Sequence, residues 1–240
     1  MAALKNLKKE LRQRIKLVLA GLSQESITSQ TSNAVETLLS MPEYKAAKRI
    51  SIYLSMPSGE ISTSGIVHDA LKEGKRVFIP YTYKMGNPRE GQPKSIMDML
   101  ELTSMNDFAS LKPDGWGIPS LDKDSISDRE NSFGGKGLTD GTLEGLNEAD
   151  SGLDFIVMPG MAFDSSFGRL GHGKGFYDFF LERCQTHSTE TSARKPFLVG
   201  LALAEQLLTA KEFVPMDTTD WRLDALVLGT GQLLRRDDPS

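Results

Sequence analysis

"RISIYLSMPSGEISTSGIVHDALKEGKRVFIP", Arg49 to Pro80, carries the fold in one stretch. Arg49 to Met56 is β-branched and apolar, the composition of a buried strand. "PSGEIST" supplies a turn. "TSGIVHDALKEGK" has helical periodicity and a helix-ending glycine at Gly74. "RVFIP", Arg76 to Pro80, is a second short apolar strand. Strand, helix and strand within about 30 residues define a parallel α/β unit.

The same alternation continues outward. Upstream, Leu4, Leu7, Leu11, Ile15 and Val18 recur at helical spacing and predict an amphipathic first helix with one apolar stripe. A second helix follows from Ser23, a candidate N-cap, and stops at Met41-Pro42. Downstream, "YTYKMGNPREGQPK" reads as a loop and "SIMDMLELT" as a strand. "DGWGIPSL" is punctuated by glycine and proline. From Asp122 to about Gly152 the composition turns to Asp, Ser, Gly, Asn and Glu. That composition predicts a polar surface insertion, a candidate for disorder, because it has few large apolar side chains to bury. "LDFIVMPGMAF", a helix after the glycines, "FLVGLALA" and "ALVLG" supply the remaining elements. The expected architecture is one α/β domain over residues 1–240. Its sheet is largely parallel with helices on both faces, a Rossmann-like three-layer arrangement.

Composition narrows the function classes. The formal net charge of the 240 residues is -4, and Trp and Tyr are sparse, so no nucleic-acid partner is expected. No apolar run is long enough to span a bilayer, so no membrane partner is expected. The single cysteine, Cys184, cannot form an internal disulfide, which fits a reducing, cytoplasmic setting. "MAALKNLKKELRQRIK" holds six basic residues against Glu10 alone. A leader of that kind can also be a mitochondrial address, although an amphipathic helix belonging to the fold accounts for it as well.

Chemistry concentrates in "RLGHGKGFYDFFL", Arg169 to Leu181. Gly171, Gly173 and Gly175 let main-chain N–H groups approach an anion. They stand before a helix whose N-terminus favours negative charge. Arg169, His172 and Lys174 add cations. The spacing is neither that of a P-loop nor of a dinucleotide fingerprint. On physics alone the stretch reads equally as an anion cradle and as a plain turn with Asp178 stabilised by the helix dipole. Lys8 and Arg12 are spaced i, i+4 and can face one ligand or simply form a solvated charged face. Glu60 follows a strand, at the end of a parallel sheet where ligands bind; an ordinary turn residue is the plainer alternative. Asp164 reads as an Asx turn. Trp116 lines a pocket or anchors its loop. Asp178 and Asp220 could share a Mg²⁺ ion. The three histidines lack zinc-site spacing, no Gly-x-Ser-x-Gly elbow occurs, and Cys184 falls on an apolar helix face.

"MPGMAFDSSFGRLGHGKGFYDFFL" resembles the central motif of the 5-formyltetrahydrofolate cyclo-ligases. "KKELR", "RISIYLSMPSGEI", "GWGIP" and "VPMDTTDWRLDALVL" agree with further motifs in order. The likeness spans nearly the whole chain outside 122–152. It implies ATP- and Mg²⁺-dependent conversion of 5-formyltetrahydrofolate into 5,10-methenyltetrahydrofolate, with ADP and phosphate released. It implies Lys8, Lys9, Glu10, Leu11 and Arg12 as nucleotide contacts, together with the loop Arg169, Leu170, Gly171, His172, Gly173, Lys174, Gly175, Phe176 and Tyr177. It places Leu54, Glu60 and Trp116 at the folate, with His172, Gly173, Lys174, Gly175 and Phe176. It makes Asp178 and Asp220 the Mg²⁺ positions, and Lys174 and Arg169 the stabilisers of the transferring phosphoryl group. A monomer acting on small molecules is expected. Two departures stand out: Phe176 where a tyrosine is usual, and Thr219 where a histidine precedes the closing aspartate. A folate-binding protein with impaired turnover, or another phosphoryl-transfer enzyme on the same scaffold, are the alternatives.

Overall fold

Arg49–Ile52 forms β1 and Arg76–Lys84 forms β2, parallel to one another, with Ile50 opposite Val77. Helix α4 (Ser64–Lys72) joins them, and Gly74 adopts φ +71° just beyond its end. This computed structural model describes residues 2–86, 88, 92–142, 151–191 and 195–237.

In chain order, α1 (Ala2–Ala20), α2 (Gln24–Ser40) and α3 (Pro42–Ala46) precede β1. After β2 come β3 (Ser95–Leu102), α5 (Met105–Ser110) and the small pair β4 (Lys112–Pro113) and β5 (Pro119–Ser120). Then follow β6 (Phe155–Met158), a hairpin of β7 (Ala162–Phe163) and β8 (Arg169–Leu170), α6 (Phe176–Thr191), β9 (Phe197–Ala202), β10 (Ala225–Leu228) and β11 (Leu233–Arg235). The main sheet runs β11-β10-β9-β6-β1-β2-β3. The inner pairs are parallel, and both edge pairs, β2–β3 and β10–β11, are antiparallel.

Alternation along the strands splits the core. Ile50, Ile52, Phe155 and Val157 face α2 and α4 through Ile27, Leu38, Ile66 and Val67. Ile156, Met158, Phe78 and Leu198 face the other way and pack on Phe180 and Leu181 of α6. Helices thus cover both faces of one sheet, as the sequence predicts. Each fully buried Leu, Ile or Phe side chain contributes roughly 1.5–3 kcal/mol, so the two apolar layers fix where α6 and its loop sit. Ser23 caps α2, its hydroxyl accepting from Ser26 N at 3.1 Å.

Several sequence readings need correction. Residues 81–84 are not loop: β2 runs to Lys84 against β3 in an eight-pair register. Pro80 suggested a strand end. It is tolerated because the pairing with β1 stops at Phe78, so this part of β2 has β3 on one side only. The segment 122–142 is neither loose nor merely surface. Phe133 is 1% exposed, packed on Phe180 with ring centroids 5.2 Å apart, and Asn131 bridges to Leu100 of β3. Hydrogen bonds tie the segment to itself and to its neighbours: Asn131 donates to Gly137 O, Arg129 holds Asp107 of α5 with two 2.7 Å bonds, and Thr139 N donates to Asp98 of β3. Phe133 in one core layer, Ile126 in the other and these hydrogen bonds replace the missing apolar content. The remainder of the expected insertion, 143–150, lies outside the described residues. The apolar stripe of α1 is also narrower than its periodicity suggests. Ile15 is buried with Ala162, Leu170, Leu208 and Val214, and Leu11 packs beside them. Leu7 and Val18 are exposed, and Lys8 and Arg12 share the inward side instead. No helix among the described residues is long and apolar enough to cross a membrane.

Candidate active site

The neighbours of β1 are β2 on one side and β6 on the other, so the chain direction of the crossovers reverses between β1 and β6. In α/β sheets the crevice beyond the carboxyl ends of such a pair receives ligands. The turn bearing Glu60 follows β1, and the glycine-rich loop follows β6 by way of the β7–β8 hairpin.

That hairpin is set by Asp164, whose Oδ1 accepts from Ser166 N (2.8 Å) and Gly168 N (2.9 Å), while Oδ2 accepts from Val214 N. The Asx-turn reading of Asp164 therefore holds. Beyond Leu170 the chain enters the loop. Gly173 and Gly175 have φ +94° and +71°, conformations costly to residues with a Cβ. A Cβ at Gly171 would lie 2.9 Å from Arg169 Nη1, and one at Gly173 would lie 3.2 Å from Arg12 Cζ. The first hydrogen bond of α6 runs from Phe179 N to Gly175 O. The N–H groups of the preceding turn have no partner within the helix and carry its positive dipole end.

Lys8 and Arg12, one helical turn apart, share one side of α1, but only Arg12 reaches the loop. Arg12 Nε donates to Gly171 O at 2.7 Å. Burial pulls the Arg12 guanidinium below its usual range, and Asp220 partly offsets this. Lys8 Nζ lies 2.6 Å from Asp220 Oδ2 and 3.3 Å from Asp217 Oδ2. Asp217 is a residue the sequence reading missed. Thr219, the residue at the histidine position, holds it through its hydroxyl (2.6 Å) and N–H (2.9 Å). These bonds, with Lys8, keep the Asp217 carboxyl below its ordinary range. The Asp-x-x-Asp spacing in "MDTTDW" was the available signal. An open depression of about 570 Å³, bounded in part by Asp217, Asp220 and Arg222, adjoins this corner.

On the β1 side, Glu60 is buried. Its Oε2 accepts from Met56 N (2.9 Å), and its Oε1 lies 3.4 Å from His172 Nε2. Leu54 is buried in the core layer beside it. Trp116 is 67% exposed, in a loop held against this turn: a Cβ at Gly117 would lie 2.7 Å from Pro57 Cγ. Phe176 is half-buried against the second core layer. Burial, chiefly, and the charge of Glu60 push the Tyr177 phenol up, against the opposing pull of Arg169.

Asp178 and Asp220 each hold a different cation. Asp178 Oδ1 is bonded to Arg169 Nη2 at 2.9 Å and Asp220 to Lys8. Each keeps one oxygen, Oδ2 and Oδ1 respectively, without a bond among the described residues. Among those residues no group of three or more His, Cys, Asp or Glu is arranged around a metal. Single carboxylates with a free oxygen still suit a Mg²⁺ ion carried on phosphates, which needs only one or two protein ligands. Lys9 and Glu10 are exposed. Lys174 is exposed on the loop and, among the described residues, has no carboxylate partner.

A glycine-rich loop at the sheet's switch point, between a helix bearing cations and a turn bearing a buried glutamate, places this chain among α/β proteins with a polar crevice at the carboxyl ends of their strands. A sequence profile described as the 5-formyltetrahydrofolate cyclo-ligase family matches residues 4–229. The chain is 33% identical over 223 residues to the probable 5-formyltetrahydrofolate cyclo-ligase of Schizosaccharomyces pombe, covering 92% of this chain and 94% of that one. It is 32% identical over 227 residues to the 5-formyltetrahydrofolate cyclo-ligase of Mus musculus, covering 94% and 93%. The NMR structure of Aquifex aeolicus 5,10-methenyltetrahydrofolate synthetase superimposes with a TM-score of 0.66 at 28% identity, covering 98% of this chain and 95% of that one. The chain belongs to the 5-formyltetrahydrofolate cyclo-ligase family, and it is an enzyme of the ligase class.

Proposed function

We propose that this protein converts 5-formyltetrahydrofolate into 5,10-methenyltetrahydrofolate with cleavage of ATP to ADP and phosphate. One observation carries the reading: the family match runs over 4–229, and the glycine loop, Arg12 and Glu60 that it contains converge at one sheet crevice.

The chemistry gives each group a task. A formyl oxygen on N5 is a poor leaving group. Attack of that oxygen on the γ-phosphorus of ATP expels ADP and leaves an imidate-like phosphate. N10 then adds to the activated carbon and gives up its proton, and departure of phosphate closes the methenyl bridge. Such a transfer depends on positioning and on neutralising charge. Main-chain N–H groups of Gly171–Gly175 and the start of α6 cradle the phosphates. Lys174, without a carboxylate partner among the described residues, and Arg12, lying across Gly173, supply the positive charge. Lys8 sets the far edge of the nucleotide site. Glu60 accepts hydrogen bonds from the donor-rich pterin, while Leu54, Trp116, His172 and Phe176 wall the folate side. Phe176 can stack but cannot donate. A Mg²⁺ ion held by Asp178 and Asp220 would neutralise phosphate charge when bound. All of these groups come from one chain, so a monomer suffices.

The test is turnover of 5-formyltetrahydrofolate with ATP, followed by absorbance of the methenyl product and by coupled ADP release. Product appearing in step with ADP is expected. Folate binding without ADP would establish a non-catalytic binder. ADP release only with another acceptor would establish a different phosphoryl-transfer enzyme.

A further inference from the structure

The family motif makes Arg169 a cation for the phosphoryl group, yet the structure hides it. Its side chain is 3% exposed, and every edge of the guanidinium faces protein. Nη2 donates to Asp178 Oδ1 at 2.9 Å and Nη1 to Pro159 O at 3.3 Å. Nε is buried without a hydrogen-bond partner among the described residues. One face lies 5.5 Å from the Tyr177 ring centroid. Gly171 passes so close that a Cβ there would meet Nη1 at 2.9 Å. The loop therefore rests on Arg169, and Arg169 binds the strand end at Pro159 to the first turn of α6 at Asp178. By contrast Lys174 is exposed and Arg12 reaches over the loop from outside.

From this arrangement we propose that Arg169 is a positioning residue: it orients the Asp178 carboxylate and floors the loop, and it acts on the reaction only through Asp178. The proposal rests on the function proposed above for the role of Asp178, but its test does not need folate turnover. A planar fork can hold Asp178 and Pro159 O together while stacking on Tyr177, whereas a lysine ammonium cannot. Removing an outer partner of a metal-binding group typically weakens metal affinity by about 10–100-fold.

The experiment measures Mg²⁺ and nucleotide binding by calorimetry, with a non-hydrolysable ATP analogue, on the full chain. For Arg169→Lys we expect Mg²⁺ affinity in the presence of the analogue to fall about 10-fold, as in Asp178→Asn. Mg²⁺-free analogue affinity should change less than about 2-fold. Turnover should recover to within about 5-fold at saturating Mg²⁺. The double variant Arg169→Lys/Asp178→Asn should lose no more Mg²⁺ affinity than Asp178→Asn alone. A direct role on the phosphoryl group predicts instead a loss of about 10²–10³-fold in turnover at every Mg²⁺ concentration, with Mg²⁺ affinity unchanged, and that result overturns the proposal. A lowered Tm with no Mg²⁺ split also overturns it, leaving Arg169 a purely structural residue. Should Arg169→Lys and Arg169→Gln both fail to fold, a crystal of the wild-type protein with analogue and Mg²⁺ decides. Arg169 still on Asp178, with Asp178 turned to the metal, supports the proposal; Arg169 on a phosphate oxygen refutes it. If folate is inert while these binding results hold, the proposed function fails and the assignment of Arg169 stands.

Discussion

Gly173 and Gly175 form a matched pair for testing why the loop needs glycine. Both have positive φ, +94° and +71°. A Cβ at Gly175 meets nothing within 4 Å, whereas one at Gly173 would lie 3.2 Å from Arg12 Cζ and 3.4 Å from its Nε and Nη1. Gly175→Ala should therefore cost only the left-handed backbone penalty, about 1–2 kcal/mol. At about 2–4 °C per kcal/mol for a chain of this size, that is a Tm loss of about 2–8 °C. Gly173→Ala carries a similar penalty and also displaces Arg12 from Gly171 O, a charge-assisted bond of 2.7 Å. Such bonds contribute roughly 1.5–3 kcal/mol when well buried. Arg12 is half-buried, so about 1 kcal/mol more is expected. The same displacement should weaken ATP-analogue affinity about 10-fold if Arg12 takes the phosphate-facing role proposed for it. Chemical denaturation and calorimetry read the two quantities. The decisive step is the Arg12→Ala background, where the excess cost of Gly173→Ala over Gly175→Ala should vanish. An excess that persists without Arg12 would refute the idea that the two are packed on each other for function.

Four further outcomes are expected. Lys174→Ala should lower turnover by about 10²-fold or more with Tm unchanged within about 2 °C; a folded, fully active variant would remove Lys174 from the mechanism. Phe133→Ala should destabilise by about 3–5 kcal/mol in urea titration, where a surface position would cost under about 0.5 kcal/mol. The Asp107 carboxyl is held below its ordinary 3.8 chiefly by Arg129, so its contribution is complete above about pH 4 and is lost as pH falls through the lower folded-state value. Asp107→Asn should flatten stability against pH in that acid range, and an unchanged acid slope would contradict the pairing. Burial pushes the Cys184 thiol up to about 12, so thiol reagents at pH 8 should modify it about three orders of magnitude more slowly than free cysteine; labelling at the free-thiol rate would contradict this.

How much of this was legible in the sequence differs between elements. Local signals served where one short-range force decides the outcome. Ser23 starts α2 because a hydroxyl before a helix finds an N–H three residues on. The β1–α4–β2 unit reads directly from periodicity and from Gly74. Lys8 and Arg12 at i, i+4 do share one side of α1, Arg12 meeting the loop and Lys8 the Asp217–Asp220 corner. The failures have one cause. Leu7 and Val18 satisfy helical spacing as well as Ile15 does, yet only the neighbouring β7–β8 hairpin determines which part of the stripe is covered. Residues 81–84 became strand because β3 lay opposite, and 122–142 became ordered because Leu100 and Phe180 offered Asn131 and Phe133 a place.

The sequence by itself determined the α/β class, the glycine loop before α6 and the cation spacing on α1, since these rest on backbone conformation and periodicity within a few residues. Only the tertiary structure decided which charge meets which. It buried Arg169 against Asp178, set Lys8 between Asp217 and Asp220, and left Lys174 exposed. Lys8 and its two aspartates stand more than two hundred positions apart, and Arg169 and Asp178, nine positions apart, meet only because the β7–β8 hairpin and the start of α6 pack together.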